Sequence, residues 1–365
     1  MAVSLLRLLL LQLLVQGSAA VMSHISEVQS ESQLAKVRSC FLQKAKSKPI
    51  KRPVRTGKEV RLPCEKGKYS KDFCKKLKRE ALSEGCALVD LWQPKWYTGP
   101  PREVVMYGDS VAQQFFQTLI CQMAQHAPVE APRLEQSPPQ GADPPNGTAP
   151  GVKSKGCKKR CWRFGSLSVC MVRAAFLNIV DGQGVASCLL GAGAADVHVL
   201  NAGVHVNSDK VMASMMASLR EFVSNATEAG RPLPHLVWRE TTPQHFLAKG
   251  GNFVSRQHIK KSRGCIPRSR VNPKVMRQHD YRNRITFEHL RGLNFDVLHV
   301  WEMLVLRTDL HPSGMDCTHW CDTQNSPIVQ LSLLMLSDVL KRYWGGSNST
   351  PDAGTMAVSA DHPVA

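Results

Sequence analysis

The sequence predicts an α/β fold with a parallel central sheet and helices on both of its faces. Short apolar runs that end at turn-forming residues alternate with segments of helical apolar spacing, the pattern of strand–helix–strand units. The first run meets its helix through nothing but Gly108-Asp109-Ser110, a tight turn. At 365 residues and 43% hydrophobic content, the chain can bury one sizeable core and still carry appendages.

Taken in order, Met1 to Ala20 holds an apolar run (Leu5, Leu8 to Leu11, Leu13 to Val15) and then Gly17-Ser18-Ala19-Ala20. Small residues at Ser18 and Ala20 suit signal-peptidase cleavage after Ala20. The run is shorter than the roughly 20 residues of a spanning helix, so a cleaved signal over 1–20 is favoured over a signal anchor. No later stretch predicts a stable span. Residues 21–62 are polar and basic, with Lys44, Lys46, Lys48, Lys51, Arg52 and Arg55, and read as a solvated, flexible stem. Cys64, Cys74 and Cys86 pin the segment that follows to a main domain over 63–346.

Within that domain Arg102 to Tyr107 reads as a strand and Val111 to Ile120 as a helix. Residues 127–156 are rich in Pro, Gly and Gln and read as a disordered insertion. Ala195 to Leu200 predicts a strand ending at Asn201-Ala202-Gly203, Lys210 to Ala226 an amphipathic helix, and His235 to Arg239 a strand. Asp280 to Leu290 predicts a helix, Phe295 to Val300 a strand, and Ile328 to Tyr343 the last helix. The tail over 347–365 reads as disordered.

Lys and Arg exceed Asp and Glu by 18, with a pI near 9.6. Such a surplus favours an acidic partner: nucleic acid, an anionic membrane or an anionic polysaccharide. Entry into the secretory pathway argues against nucleic acid and leaves an acidic glycan or a membrane surface, beside the plainer view of a soluble linker. The 12 cysteines read as disulfides in an oxidising compartment. Sequons at Asn146, Asn225 and Asn348 fit the same route and predict surface loops.

In open α/β sheets, ligands bind beyond the carboxyl ends of the strands. Ser110 stands at such an end, in the first turn of a helix whose dipole and N–H groups face any oxyanion formed beside it. Alone, the tripeptide is equally a helix N-cap. A serine nucleophile needs a base, and the base needs an orienting group. Asp316-Cys317-Thr318-His319 supplies both, three residues apart. A second Asp-x-x-His, Asp296 to His299, lies in the predicted last strand, where residues three apart point to opposite faces. His299 therefore reads as a core or sheet-packing histidine, and Asp316 with His319 as the functional pair. Cys317, His319 and Cys321 could also ligate zinc. With no further Cys-x-x-Cys or His-x-x-x-His element nearby, disulfides are the better account and no metal is expected.

Tyr107-Gly108-Asp109-Ser110, Asn201-Ala202-Gly203, Trp238 to Phe246, Arg307 to Pro312 and Asp316 to Cys321 follow one another in an order and spacing that resembles the PC-esterase group. That group includes the plant trichome-birefringence-like proteins. The resemblance spans about Cys64 to Tyr343 and implies an SGNH-hydrolase-like, three-layer α/β/α fold. It also implies acetyl transfer to polysaccharide hydroxyls in the Golgi lumen, with Ser110, His319 and Asp316 as the triad. Val204, His205 and Val206 stand where the plant proteins typically have aromatics, and Asp322-Thr323-Gln324 where they have Leu-Pro-Gly.

On that resemblance His319 activates Ser110, an acyl donor loads the serine, and a glycan hydroxyl collects the acyl group. The Ser110 amide, Asn201 and Gly203 are the expected oxyanion hole. Arg239, His245, Asp309 and His311 are candidate substrate contacts; the alternatives are a buried structural pair for Arg239 and His245 and loop-stabilising hydrogen bonds for Asp309 and His311. No cofactor is required. The expected partners are an acyl donor and a glycan acceptor, in the Golgi lumen or outside the cell. A secreted esterase using the same triad is the first alternative; a non-catalytic glycan-binding protein is the second.

Overall fold

The computed structural model describes residues 95–124, 130, 133–136, 156–177, 179, 184–253, 255, 264–311, 316–320 and 336–344. The short helix α1 (Lys95–Thr98) precedes strand β1 (Arg102–Gly108), and helix α2 (Ser110–Met123) follows it directly. β1 lies centrally. It pairs in parallel with β4 (Leu167–Arg173) on one side and β5 (Val197–Leu200) on the other. β6 (His235–Arg239) and β7 (Phe295–Leu298) continue the parallel series. On the opposite flank β3 (Lys158–Phe164) and β2 (Arg133–Gln136) add antiparallel strands, which gives a seven-stranded sheet of order β2-β3-β4-β1-β5-β6-β7.

Alternation along the strands assigns the two faces. Tyr107, Val172, Leu200 and Trp238 share one core with residues of α3 (Val185–Leu190), α4 (Asp209–Glu228) and α6 (Tyr281–Leu290). The other face receives α2, whose Phe116 ring meets Trp162 at 5.3 Å beside its strand partner Val169. Along the chain α5 (Pro273–Gln278) precedes α6 and α7 (Trp301–Leu304) follows β7; helix α8 (336–344) joins the face of α2, Tyr343 stacking on His235 at 3.3 Å. Met212, Met216 and Leu219 of α4 are completely buried, as helical spacing demands of a core-facing stripe. Helices therefore cover both faces.

Several expectations are corrected. The sheet is mixed, not purely parallel, because a meander of antiparallel strands closes one flank. Residues 133–136, expected within an insertion, are a paired strand. His299 is not a core histidine: its side chain is 65% exposed and lies 3.4 Å from Glu240, while Asp296 binds His235 at 2.7 Å and Arg342 at 2.9 Å. The two residues make separate pairs. Asn225 is exposed as expected, but sits in the last turn of α4 and not in a loop.

Disulfides join Cys157 to Cys188, Cys161 to Cys170 and Cys265 to Cys317, and no described cysteine is free. No helix among the described residues is long and apolar enough to cross a membrane. The expected signal over 1–20, the stem over 21–62, the pinned cysteines Cys64, Cys74 and Cys86, and the tail over 347–365 lie outside the described residues. So do Asn146, Asn348 and Cys321.

Candidate active site

The turn between β1 and α2 is built for one residue type. Gly108 has φ +151°, and a Cβ there would meet the Ala112 Cβ at 2.5 Å and the Asn201 carbonyl oxygen at 2.7 Å. Only glycine accepts that conformation and that crowding. Asp109 then caps α2, its Oδ1 accepting from the Val111 N–H at 2.9 Å and the Ala112 N–H at 3.4 Å. The capping role thus falls to Asp109, and Ser110 opens the helix with its hydroxyl committed elsewhere. The Ser110 backbone N–H makes no hydrogen bond among the described residues.

The hydroxyl reaches His319. Ser110 Oγ and His319 Nε2 are 2.7 Å apart, although the residues are separated by 209 positions in sequence. On the far side of the ring, Nδ1 lies 2.9 Å and 3.0 Å from the two carboxylate oxygens of Asp316. A carboxylate can only accept, so Nδ1 carries the proton and Nε2 is left to accept from the serine. Asp316 Oδ1 also accepts the His319 backbone N–H at 3.0 Å and that of Thr318 at 3.3 Å. Burial pushes the Asp316 carboxyl up, but bonds from the His319 ring and backbone outweigh it and bring its pKa to about 2. The Asp296 and His299 motif makes no such contact.

The loop that carries this pair is fastened on three sides. From α2, Gln114 Nε2 donates to the Trp320 carbonyl at 2.9 Å and Gln114 Oε1 accepts its N–H at 3.2 Å. From the chain leaving β6, Gln244 Nε2 donates to Thr318 Oγ1 at 3.0 Å, Thr242 Oγ1 accepts the Trp320 indole N–H at 3.1 Å, and the His245 N–H donates to the Cys317 carbonyl at 2.9 Å. The Cys265–Cys317 disulfide is the third tie. Gln114, Thr242 and Gln244 were not singled out from sequence. The one signal for Gln114 is its position, a glutamine one helical turn after the serine.

Among the expected oxyanion donors, Gly203 has φ +133° and its N–H makes no hydrogen bond among the described residues. A side chain there would press on Thr241 Oγ1 at 2.6 Å. The Asn201 side chain is buried and directed to backbone, Nδ2 donating to the Arg239 carbonyl at 2.9 Å and more weakly to that of Glu240 at 3.4 Å. Asn201 therefore braces the ends of β5 and β6 in this arrangement, which leaves the Ser110 and Gly203 backbone N–H groups as the candidate oxyanion donors.

Three of the four candidate substrate contacts are buried, as their structural alternative has them. Arg239, His245 and His311 are 1%, 0% and 4% exposed, which leaves no surface for a substrate. Arg239 lies over the Phe115 ring at 5.2 Å. Burial draws its pKa down to about 10 against the pull of Asp109 and Glu240. Asp309 falls in the 3₁₀ turn Thr308–Leu310, and its side chain lies outside the described residues.

A separate group, Glu103, Glu135, Cys161 and Cys170, has its ligand atoms within 4.8 Å of one another. It is not a metal donor set, because the two sulfurs are bonded to each other and Lys159 is paired with both carboxylates. Comparison with protein-family models and with curated proteins finds no match to this chain.

Proposed function

We propose that the chain is a serine-dependent acyl-transfer enzyme of the SGNH type, similar to the PC-esterase group, that moves an acetyl group to hydroxyls of a polysaccharide or glycan. The observation that carries this reading is the chain of contacts Ser110 Oγ to His319 Nε2 to Asp316, at 2.7 Å and 2.9 Å, at the carboxyl end of the central strand. His319 takes the hydroxyl proton as Ser110 Oγ attacks the donor's carbonyl carbon; the oxyanion forms toward the Ser110 and Gly203 N–H groups. Collapse of that intermediate breaks the bond to the leaving group, which takes the proton from His319. A glycan hydroxyl then attacks the acyl-serine, giving its proton to His319, and the serine is regenerated with that proton. Asp316 holds the tautomer and balances the imidazolium charge throughout.

The excess of 18 positive charges supports an acidic acceptor, and so does Arg173. This exposed residue ends β4 in register with Gly108, on the face that carries α2, and makes no ion pair among the described residues. The described disulfides are consistent with a secretory-pathway setting. Water in place of the glycan hydroxyl would make the same site an esterase.

The test is turnover of p-nitrophenyl acetate with and without acidic and neutral oligosaccharides, followed by mass analysis of the sugars. Acetylated oligosaccharide made by the wild type and not by Ser110→Ala is the expected result. Release of acetate alone would reassign the enzyme as an esterase, and turnover that survives Ser110→Ala would sink the reading.

A further inference from the structure

Beside the backbone of the base loop, two buried histidines form a bracket. His311 follows the 3₁₀ turn Thr308–Leu310, and its Nδ1 lies 2.6 Å from the backbone carbonyl oxygen of His319. Its Nε2 lies 2.7 Å from Nδ1 of His245, whose own Nε2 is 2.8 Å from the carbonyl oxygen of Val305, at the end of helix α7 (Trp301–Leu304). Trp320 stacks on the His311 ring with centroids 4.3 Å apart.

A carbonyl oxygen can only accept, so Nδ1 of His311 and Nε2 of His245 carry the protons. The opposite tautomer of His311 would set a lone pair against the His319 oxygen at 2.6 Å. Burial, followed by the neighbouring His245, pushes the His311 pKa down to about 3, which leaves a neutral ring with a single N–H to place. His311 Nε2 and His245 Nδ1 then face each other, and the contact becomes a hydrogen bond only when the pair takes up a further proton.

The carbonyl that His311 holds belongs to the peptide group joining His319 to Trp320. The N–H of that same peptide group is held by Gln114 Oε1 at 3.2 Å. One peptide plane is thus gripped at its oxygen by His311 and at its nitrogen by the helix that carries Ser110. Rotation of this plane would swing the imidazole that must stay 2.7 Å from Ser110 Oγ. A phenylalanine would fill the same volume beneath Trp320 but leave a buried carbonyl without its donor.

We propose that His311 is a positioning residue for the base His319: its Nδ1–H fixes the His319–Trp320 peptide plane, while the Trp320 and His245 rings pack against it and hold it in place. The inference rests on the acyl-transfer reading for its kinetic arm only. Asn and Gln separate it from a general packing role, because the Asn amide nitrogen sits near the place of Nδ1 and the Gln amide nitrogen near that of Nε2.

In the full chain, His311→Asn should keep the rate of Ser110 acylation by p-nitrophenyl acetate within about threefold of wild type, whereas His311→Gln should lose about tenfold to a hundredfold, in kcat and not in KM. His311→Gln, which alone gives up the bond to the His319 carbonyl, should also melt below His311→Asn. Equal losses in the two variants, or the greater loss in His311→Asn, would overturn the proposal. Should either variant not fold, long-range proton–nitrogen correlation spectra of the wild type decide. An Nδ1–H resonance for His311 is expected, and an Nε2–H tautomer overturns it. A wild type that never acylates would count against the acyl-transfer reading alone, because the tautomer measurement is independent of activity.

Discussion

At Asp316 two effects oppose each other, burial raising the carboxyl and four hydrogen bonds lowering it, and the bonds prevail to give a pKa of about 2. A folded-state value below the unfolded one, about 3.9, stabilises the fold above pH 4, and that contribution is lost as the pH falls through about 2. With a third of the side chain exposed, we expect about 1–2 kcal/mol after allowing for solvent screening. Asp316→Asn should therefore be less stable than wild type at pH 7 in urea titrations, and the gap should close towards pH 2. The same variant leaves the tautomer of His319 unsupported, so acylation should slow by about 10³–10⁴-fold. A gap that persists unchanged at pH 2 would mean that the ionised form is not what stabilises the loop. At Gly108, Ala would need both a positive φ and a Cβ 2.5 Å from Ala112. Gly108→Ala should lose at least about 2 kcal/mol by thermal or chemical denaturation, with turnover lost alongside.

Asp316 and His319 were legible in the sequence because their spacing places both on one local turn, and their rival was rejected for the alternation of a strand. Exposure was not legible. Arg239 and His245, by a predicted strand end, and His311, in the block before the Asp-x-x-His pair, could equally be substrate contacts or structural residues. Here all three are buried, the two histidines as hydrogen-bonded brackets, and nothing in a pattern of residue types separates a buried, hydrogen-bonded histidine from a ligand-facing one.

Among the elements, β1, α2, β5, α4, β6, α6 and β7 follow from apolar periodicity to within a few residues. The flank β2–β3–β4 does not. β3 reads Lys158-Lys159-Arg160-Cys161-Trp162-Arg163-Phe164, and three consecutive basic residues mask the alternation that a strand near the sheet edge would show. Lys159 is nevertheless drawn in by Glu103 and Glu135, a pairing no local window contains. The link from α2 to the base loop was missed for the same reason: Gln114 and Trp320 are 206 residues apart. Gln114→Leu removes both bonds and strands two buried backbone groups of Trp320. It should cost about 1–3 kcal/mol in chemical denaturation and depress acylation more than it depresses binding. The Cys265–Cys317 bridge closes a loop of 52 residues beneath the same segment. Replacing both cysteines with serine should lower stability by about 2–4 kcal/mol. An unchanged Tm would show that the hydrogen bonds alone hold the base loop.

For the whole molecule, the α/β class was legible and the mixed sheet was not, because a purely parallel sheet is what alternating strands and helices imply. The mixed sheet leaves the parallel core β4-β1-β5-β6-β7 intact, and every residue of the Ser110 site springs from the carboxyl ends of that core or from the loop after α7. Its geometry therefore depends on long-range contacts: a serine after the first strand meets a histidine 209 residues later. The most direct test of that arrangement is whether it can load an acyl group. Wild-type protein mixed with p-nitrophenyl acetate, quenched in acid and examined by intact-mass and peptide mass spectrometry, should carry one acetyl group on Ser110; Ser110→Ala and His319→Ala should carry none there. An acetyl group found on lysines alone, or equal labelling in all three proteins, would contradict a nucleophilic Ser110.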